Sequence, residues 1–429
     1  MSQLQSINIK TMFNQLFPSN WINQTAKSTQ AIKRQNKIKM TELFWSLILG
    51  FSTGSNRTLS GLRRVFQKTA GFSLVSSSFQ DRFTDEMAEF MRKACVHALD
   101  NMQGITSELK GRLSQFKDIL VTDSTVVRLH DFLENVYPGC RKNHSKAALK
   151  AHVVLSVTGK GKSTLKVTEG TKNDGKAFVI DDWIKGKLAL FDLGYYVFSN
   201  FVKIHRHGGY FVSRLKSNAK PVIISANGMA TPDEWVCKTL QEILSVATQT
   251  RLDFIAQFRV NKNTVANFRV IAIRHEGTGE YHTYVTNLPF EEFTTEDIAT
   301  IYTFRWSIEL FYRELKGSYR MEKMPSQRQA VVESLLYAAF ITCVLSKSLL
   351  QAITQSLRGM AHRIRLERWA ALFYESAELL LLIMTAPVNI ARYLQKQFLT
   401  MIEAEVIDPN KKRLSLLQRT EHGQLGWMG

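Results

Sequence analysis

The chain has 429 residues, 45% of them apolar, enough for about three domains of ordinary size with real cores. Its four cysteines, Cys95, Cys140, Cys237 and Cys343, stand tens of residues apart with no CxxC among them. That excludes a disulfide-stapled scaffold and a thiolate zinc site, and it fits a reducing, cytoplasmic setting. The 56 Lys and Arg against 37 Asp and Glu leave a formal net charge of +19, so a polyanion is the expected partner.

The polar N-terminus MSQLQSINIKTMFNQLF lacks the apolar centre and cleavage site of a secretory signal. Residues 1–115 read as a helical domain, with Lys27, Lys33, Arg34, Lys37 and Lys39 clustered early. In TLSGLRRVFQKTAGFSLVSSSFQDRF, Leu59, Leu62, Val65 and Phe66 form an apolar stripe, Ala70-Gly71 ends that helix, and Ser73 is placed to cap another. The second helix would carry Ser76, Ser77, Ser78, Gln80 and Arg82, donors of the kind that meet phosphates and base edges. A packed helical hairpin with a solvated polar face is the competing reading. From residue 116 the texture changes. KDILVTDSTVVRL is a β-branched run, AHVVLSV and TLKVTEG flank a GKGKS turn, AFVIDDWIKG reads as a helix, LALFDLGYY as a strand ending at an aspartate, SNFVKIHRHGG as a helix and YFVSRLK as a strand. This order predicts an α/β fold with a mixed sheet of ribonuclease-H-like type over 116–216 and 293–350. Residues 217–292 look like a β-rich insertion, with strands at PVIISA, DFIAQFRV, NFRVIAIRH and EYHTYVTNL. A capping box at Thr294 and Asp297 opens one long helix predicted to run to Gly317. Residues 351–429 read as a helical C-terminal region that dimerises. The apolar runs at 335–345 and 379–384 are too short to span a bilayer and read as buried helices, so no membrane segment is expected.

Asp123 follows the apolar run ILV and Asp192 follows LALF. Carboxylates at such places on neighbouring strands repel each other unless a divalent cation joins them, and magnesium takes hard oxygen ligands of this type. Most strand-end aspartates merely cap turns or face water. In IYTFRWSIELFYRELKG, Tyr302, Arg305, Glu309 and Lys316 follow at spacings of three, four and seven. At about 100° per residue they fall within roughly 60° of one another on a helix. A solvent-facing ion-pair stripe explains Arg305 and Glu309 as well as a metal ligand among phosphate-binding groups does.

Tyr302, Arg305, Glu309 and Lys316 match the Y-(2)-R-(3)-E-(6)-K signature. With VTDSTVVRL, FDLGYY, YFVSRLK and YHTYVTNLP in order, the chain resembles the insertion-sequence DDE transposases of the family conventionally numbered four. The resemblance implies that Asp123, Asp192 and Glu309 hold two Mg2+ ions, which Mn2+ can replace, for phosphoryl transfer on DNA. Glu314, Asp181 and Asp182 compete for these places, while Asp118 and Asp131 read as ordinary surface acids. It also implies cleavage at element ends, a hairpin intermediate and joining of the 3′-hydroxyl to target DNA, by a homodimer in a synaptic complex. Tyr302, Arg305 and Lys316 would hold phosphate. Arg214, Lys216, Arg82, Ser77 and Gln80, and Arg141, Lys142 and Lys146 of RKNHSK, are further candidate DNA contacts.

Other signals are weaker. Ser156 stands where a phosphate-binding loop around GKGKS requires glycine. His205 and His207 lack a cysteine or acid at metal-ligand spacing. Trp235 reads as core packing rather than as a platform for a flipped base. A catalytically silent DNA-binding regulator and a structure-selective nuclease are the alternative functions.

Overall fold

A computed structural model describes residues 3–410 apart from 34–37, 53–57, 103–108, 110, 141–145, 160–162, 228–232, 262–263, 323, 358–359 and 409. Arg34, Lys37, Arg141, Lys142, most of the GKGKS turn and the KKR at 411–413 lie outside the described residues. Six helices come first: α1 (Ile9–Leu16), α2 (Ser19–Ser28), α3 (Met40–Ser52), α4 (Leu59–Ala70), α5 (Ser76–Gln80) and α6 (Asp85–Asp100). Gly71 ends α4 in the left-handed region at φ 71°. Ser73 does not cap the next helix. Its hydroxyl accepts from Gln67, the N-cap of α5 is Val75, and α5 has only five residues, with Arg82 beyond its end.

The strands are β1 (Ile119–Arg128), β2 (Ala148–Ser156), β3 (Thr164–Glu169), β4 (Leu188–Phe191), β5 (Tyr210–Arg214), β6 (Val222–Ala226), β7 (Arg251–Asn261), β8 (Thr264–Arg274) and β9 (Tyr281–Thr286). They form one nine-stranded sheet in the order β3-β2-β1-β4-β5-β9-β8-β7-β6. β1, β4 and β5 run parallel to one another, and every other pair is antiparallel. The strands of 217–292 extend the same sheet through β9, which pairs with β5. Side chains alternate between two cores. Ile119, Val121, Leu188 and Leu190 face the larger, helix-rich core, while Leu120, Ala189 and Phe191 face a second core with residues of α8 (Phe198–Arg206) and α9 (Leu240–Val246). AFVIDDWIKG is not a helix. The helical residues are α7 (Asp174–Ala177), which ends on its first residue, and a single turn at 182–184, where the Asp181 side chain accepts from Trp183 N and closes a local turn.

The capping box of Thr294 and Asp297 opens α10 (Thr295–Thr303) as expected. The long helix is nevertheless two, because bonds from Phe304 N to Ile301 O and from Arg305 N to Tyr302 O tighten the chain before α11 (Trp306–Gly317) begins. Then come α12 (Gln329–Ser356), α13 (Leu366–Glu375), α14 (Ala377–Thr385) and α15 (Val388–Met401). Among the described residues α12 alone is long and apolar enough to cross a membrane, and 89% of its apolar window is buried inside the fold, against α3, α6 and α11.

Candidate functional site

Parallel pairing of β1 with β4 sets Thr122 beside Phe191, so Asp123, within β1, and Asp192, directly after β4, follow at the same level. Such strands lie about 4.8 Å apart. Two tyrosines dock the α10–α11 segment onto these strands: Tyr302 OH donates to Phe191 O at 3.2 Å, and Tyr312 OH to Asp123 O at 2.8 Å and Ala151 O at 3.3 Å. Glu309 lies between these anchors.

Arg305 Nη1 meets Glu309 Oε1 at 2.5 Å, and the guanidinium carbon lies 5.4 Å from the centre of the Tyr302 ring. The buried Nε of Arg305 has no hydrogen-bond partner among the described residues. Burial raises the Asp123 pKa to about 6; the Ser124 amide and Arg305 oppose that rise, while Asp192 and Glu309 add to it. Burial likewise pushes the Tyr302 phenol up to about 12. The three acids therefore share one electrostatic neighbourhood. Among the described residues, however, no three His, Cys, Asp or Glu side chains close into a ready metal cage. Glu309 is turned to Arg305, and one Asp123 oxygen accepts from Ser124 N at 2.7 Å.

The four residues of the signature are not gathered equally. Tyr302, Arg305 and Glu309 stay together across the helix break, whereas Lys316 pairs with Glu322 at 3.0 Å. Arg214, ending β5 at this edge, sits over the Tyr284 ring at 5.8 Å, and Lys216 over Tyr196 at 5.3 Å. Ser77 and Gln80 are on α5 and Arg82 just beyond it; Arg328, at the start of α12, donates to the Gln80 and Phe83 carbonyls. Glu314 is committed to Lys347 at 2.9 Å and Tyr319 at 3.1 Å. Asp182 pairs with His207 at 2.9 Å, a partner distant in sequence. Asp118 is no surface acid. It is 1% exposed and takes hydrogen bonds from Ser156 and Thr158 beside the β2–β3 connection. Asp131 is exposed, 3.9 Å from Lys146, and Trp235 is buried edge-on to Phe254.

The sequence reading missed Tyr312 and the polar group of Ser124, Lys150, His152, Asp174 and Tyr195. Tyr312 stands three residues after Glu309, a helical neighbour whose target on β1 no local pattern reveals. Asp174 carries only the weak signal of an NDG turn.

A sequence model of the transposase DDE domain matches residues 114–345, more than half of the chain and the whole of this site. The chain is 22% identical over 382 residues to the transposase for insertion sequence element IS231F of Bacillus thuringiensis subsp. israelensis, with 79% of this chain and 78% of that protein covered. It is 22% identical to the transposase for IS231C of Bacillus thuringiensis subsp. berliner, covering 84% and 83%. To the transposase for IS1151 of Clostridium perfringens it is 19% identical, covering 78% of each.

Proposed function

Because the chain belongs to the transposase DDE domain family, we propose that it cleaves the ends of an insertion sequence and joins the freed 3′-hydroxyl to target DNA, with Asp123, Asp192 and Glu309 as the metal-binding acids. The observation that carries this reading is that Asp123 and Asp192 directly follow the last paired residues of the parallel strands β1 and β4, beside a helical segment bearing Glu309 that is tied to both strands by Tyr302 and Tyr312. The donors fit magnesium: three carboxylates, hard oxygen ligands, one of them half-buried and electrostatically loaded by the other two. Two bound Mg2+ ions, or Mn2+ in their place, would activate water or a DNA 3′-hydroxyl and neutralise charge on the leaving oxygen.

The protein's own part is positioning. A DNA phosphate arriving at Arg305 finds a buried Nε already lacking an acceptor, and it offers the guanidinium an anion in place of Glu309. That exchange frees Glu309 to turn toward the aspartates. Tyr302 supports the guanidinium through its ring. Arg214 and Lys216 extend the cationic edge toward β5, and Lys316 joins after leaving Glu322. The finer assignment places the chain in the family numbered four with its YREK signature, on a ribonuclease-H-like core of 116–216 and 293–350, with a hairpin intermediate. Residues 1–115, including Ser77, Gln80 and Arg82, form the end-binding domain; 217–292 is the β-rich insertion, and 351–429 supports a homodimer in the synaptic complex.

Incubation of the purified protein with its own element ends and Mg2+, followed by denaturing gel analysis, tests the reading. Nicking, hairpin and strand-transfer products are expected. Nicks without joining favour a structure-selective nuclease, and binding without cutting favours a silent regulator.

A further inference from the structure

We propose that Asp174 is a positioning residue for the acidic site, bracing from the far face of the sheet the part of β1 that carries Asp123 and the turn that follows Asp192; this rests on the metal-binding reading of those aspartates given above. Because side chains alternate along a strand, Ser124 points away from the face that Asp123 uses. There its hydroxyl donates to Asp174 Oδ1 at 2.8 Å. The same oxygen lies 3.1 Å from Lys150 Nζ and 3.6 Å from His152 Nδ1, both from β2. His152 Nδ1 also meets Tyr195 OH at 3.1 Å, while its Nε2 is held at 2.9 Å from Thr168 on β3. Tyr195 closes the turn that directly follows Asp192. One carboxylate thus connects the residue after the first aspartate with the turn after the second.

The short segment bearing Asp174 is itself immobilised. A Cβ at Gly175 would come within 2.1 Å of Val197 Cγ2, so only glycine permits this approach. Asn200 Nδ2 donates to Gly175 O at 2.9 Å, and the Asn173 side chain accepts from Gly175 N at 3.0 Å. A Cβ at Gly194 would meet Asp174 Oδ2 at 3.2 Å, which places the carboxylate against the backbone of the turn after Asp192. Carboxylates that must converge on a cation need such support, and its loss typically weakens metal affinity about 10- to 100-fold.

The test is Mn2+ titration of the full chain, read by the electron paramagnetic resonance of the free ion, with thermal midpoints and end-DNA affinity in EDTA measured alongside. Asp174→Ala and Ser124→Ala should each weaken Mn2+ binding by about tenfold or more. The double variant should be no worse than either single one, because both remove the same link. Asp174→Asn, whose amide oxygen still accepts from Ser124, should stay close to the unsubstituted protein, with end-DNA affinity unchanged throughout. Undiminished Mn2+ affinity in Ser124→Ala or Asp174→Ala, additive losses in the double variant, or an Asn variant as impaired as Ala would overturn the brace. If the unsubstituted protein takes up no Mn2+, the metal-site reading itself falls and this proposal with it; the first titration therefore separates the two failures.

Discussion

Glu309 has a cationic partner in Arg305, whereas Asp123 accepts from the Ser124 amide and is repelled by Asp192. A guanidinium 2.5 Å from Glu309 also faces Asp123, so Arg305 offsets part of the load that Glu309 and Asp192 place on that aspartate. Asp123→Ala, Asp192→Ala and Glu309→Ala should each abolish Mg2+-dependent cleavage while leaving end binding largely intact. Gel shifts and cleavage assays on the same preparations check this, and retained cutting by any one removes that residue from the set. His152 makes a separate statement about stability. Burial lowers its pKa to about 4 from 6.5, so between those values the unfolded chain binds the extra proton. Stability is therefore complete above pH 6.5 and falls as the pH drops toward 4, by on the order of 3 kcal/mol across the window. Urea denaturation of the protein and of His152→Gln at pH 7.5, 5.5 and 4.5 should show a shallower acid loss in the variant.

At the scale of elements, the break between α10 and α11 gives each part its own anchor, Tyr302 on β4 and Tyr312 on β1. The Tyr312 hydroxyl is the only group of its side chain able to bond the β1 and β2 backbone. Tyr312→Phe should lower stability by about 1–2 kcal/mol, and it should reduce cleavage more than end binding, measured by urea unfolding and cleavage rates. The same segment shows what sequence alone discloses. The β-branched run at 119–127 and the Thr294 cap were legible because each depends on residues within a few positions; Asp192 does follow the end of β4, but Asp123, read as a strand-end acid, lies inside β1, which continues to Arg128. Reading 294–317 as one helix failed because apolar spacing carries through a short tightened turn unaltered. Helical spacing also placed Lys316 on the face of Arg305, yet the charge of Glu322 draws it elsewhere. Asp118 read as a surface acid because Ser156 and Thr158, which bury it, come from another strand and its turn. The group around Asp174 draws on β1, β2, β3 and the turn after β4, so it exists only once the sheet is assembled.

Over the whole molecule, the charge of +19 is spread along the chain rather than held in one tail, which suits a protein that must follow DNA across several elements. If six to ten phosphates are neutralised, end-DNA affinity should fall by about 10³ to 10⁵ between 50 and 200 mM salt. Fluorescence anisotropy over that range checks it, and a flat response would count against a phosphate-dominated interface. The order of the sheet has a consequence in time. β1 and β4 lie side by side near its middle, but the segment that brings Glu309 to them is synthesised more than a hundred residues later, and α12, which buries it, later still. A nascent polypeptide released prematurely by the ribosome, after Asp192 but before that segment, carries both aspartates and the basic N-terminal helices without the third acid. On the proposed assignment of the acids, such a fragment occupies DNA without the means to cut it.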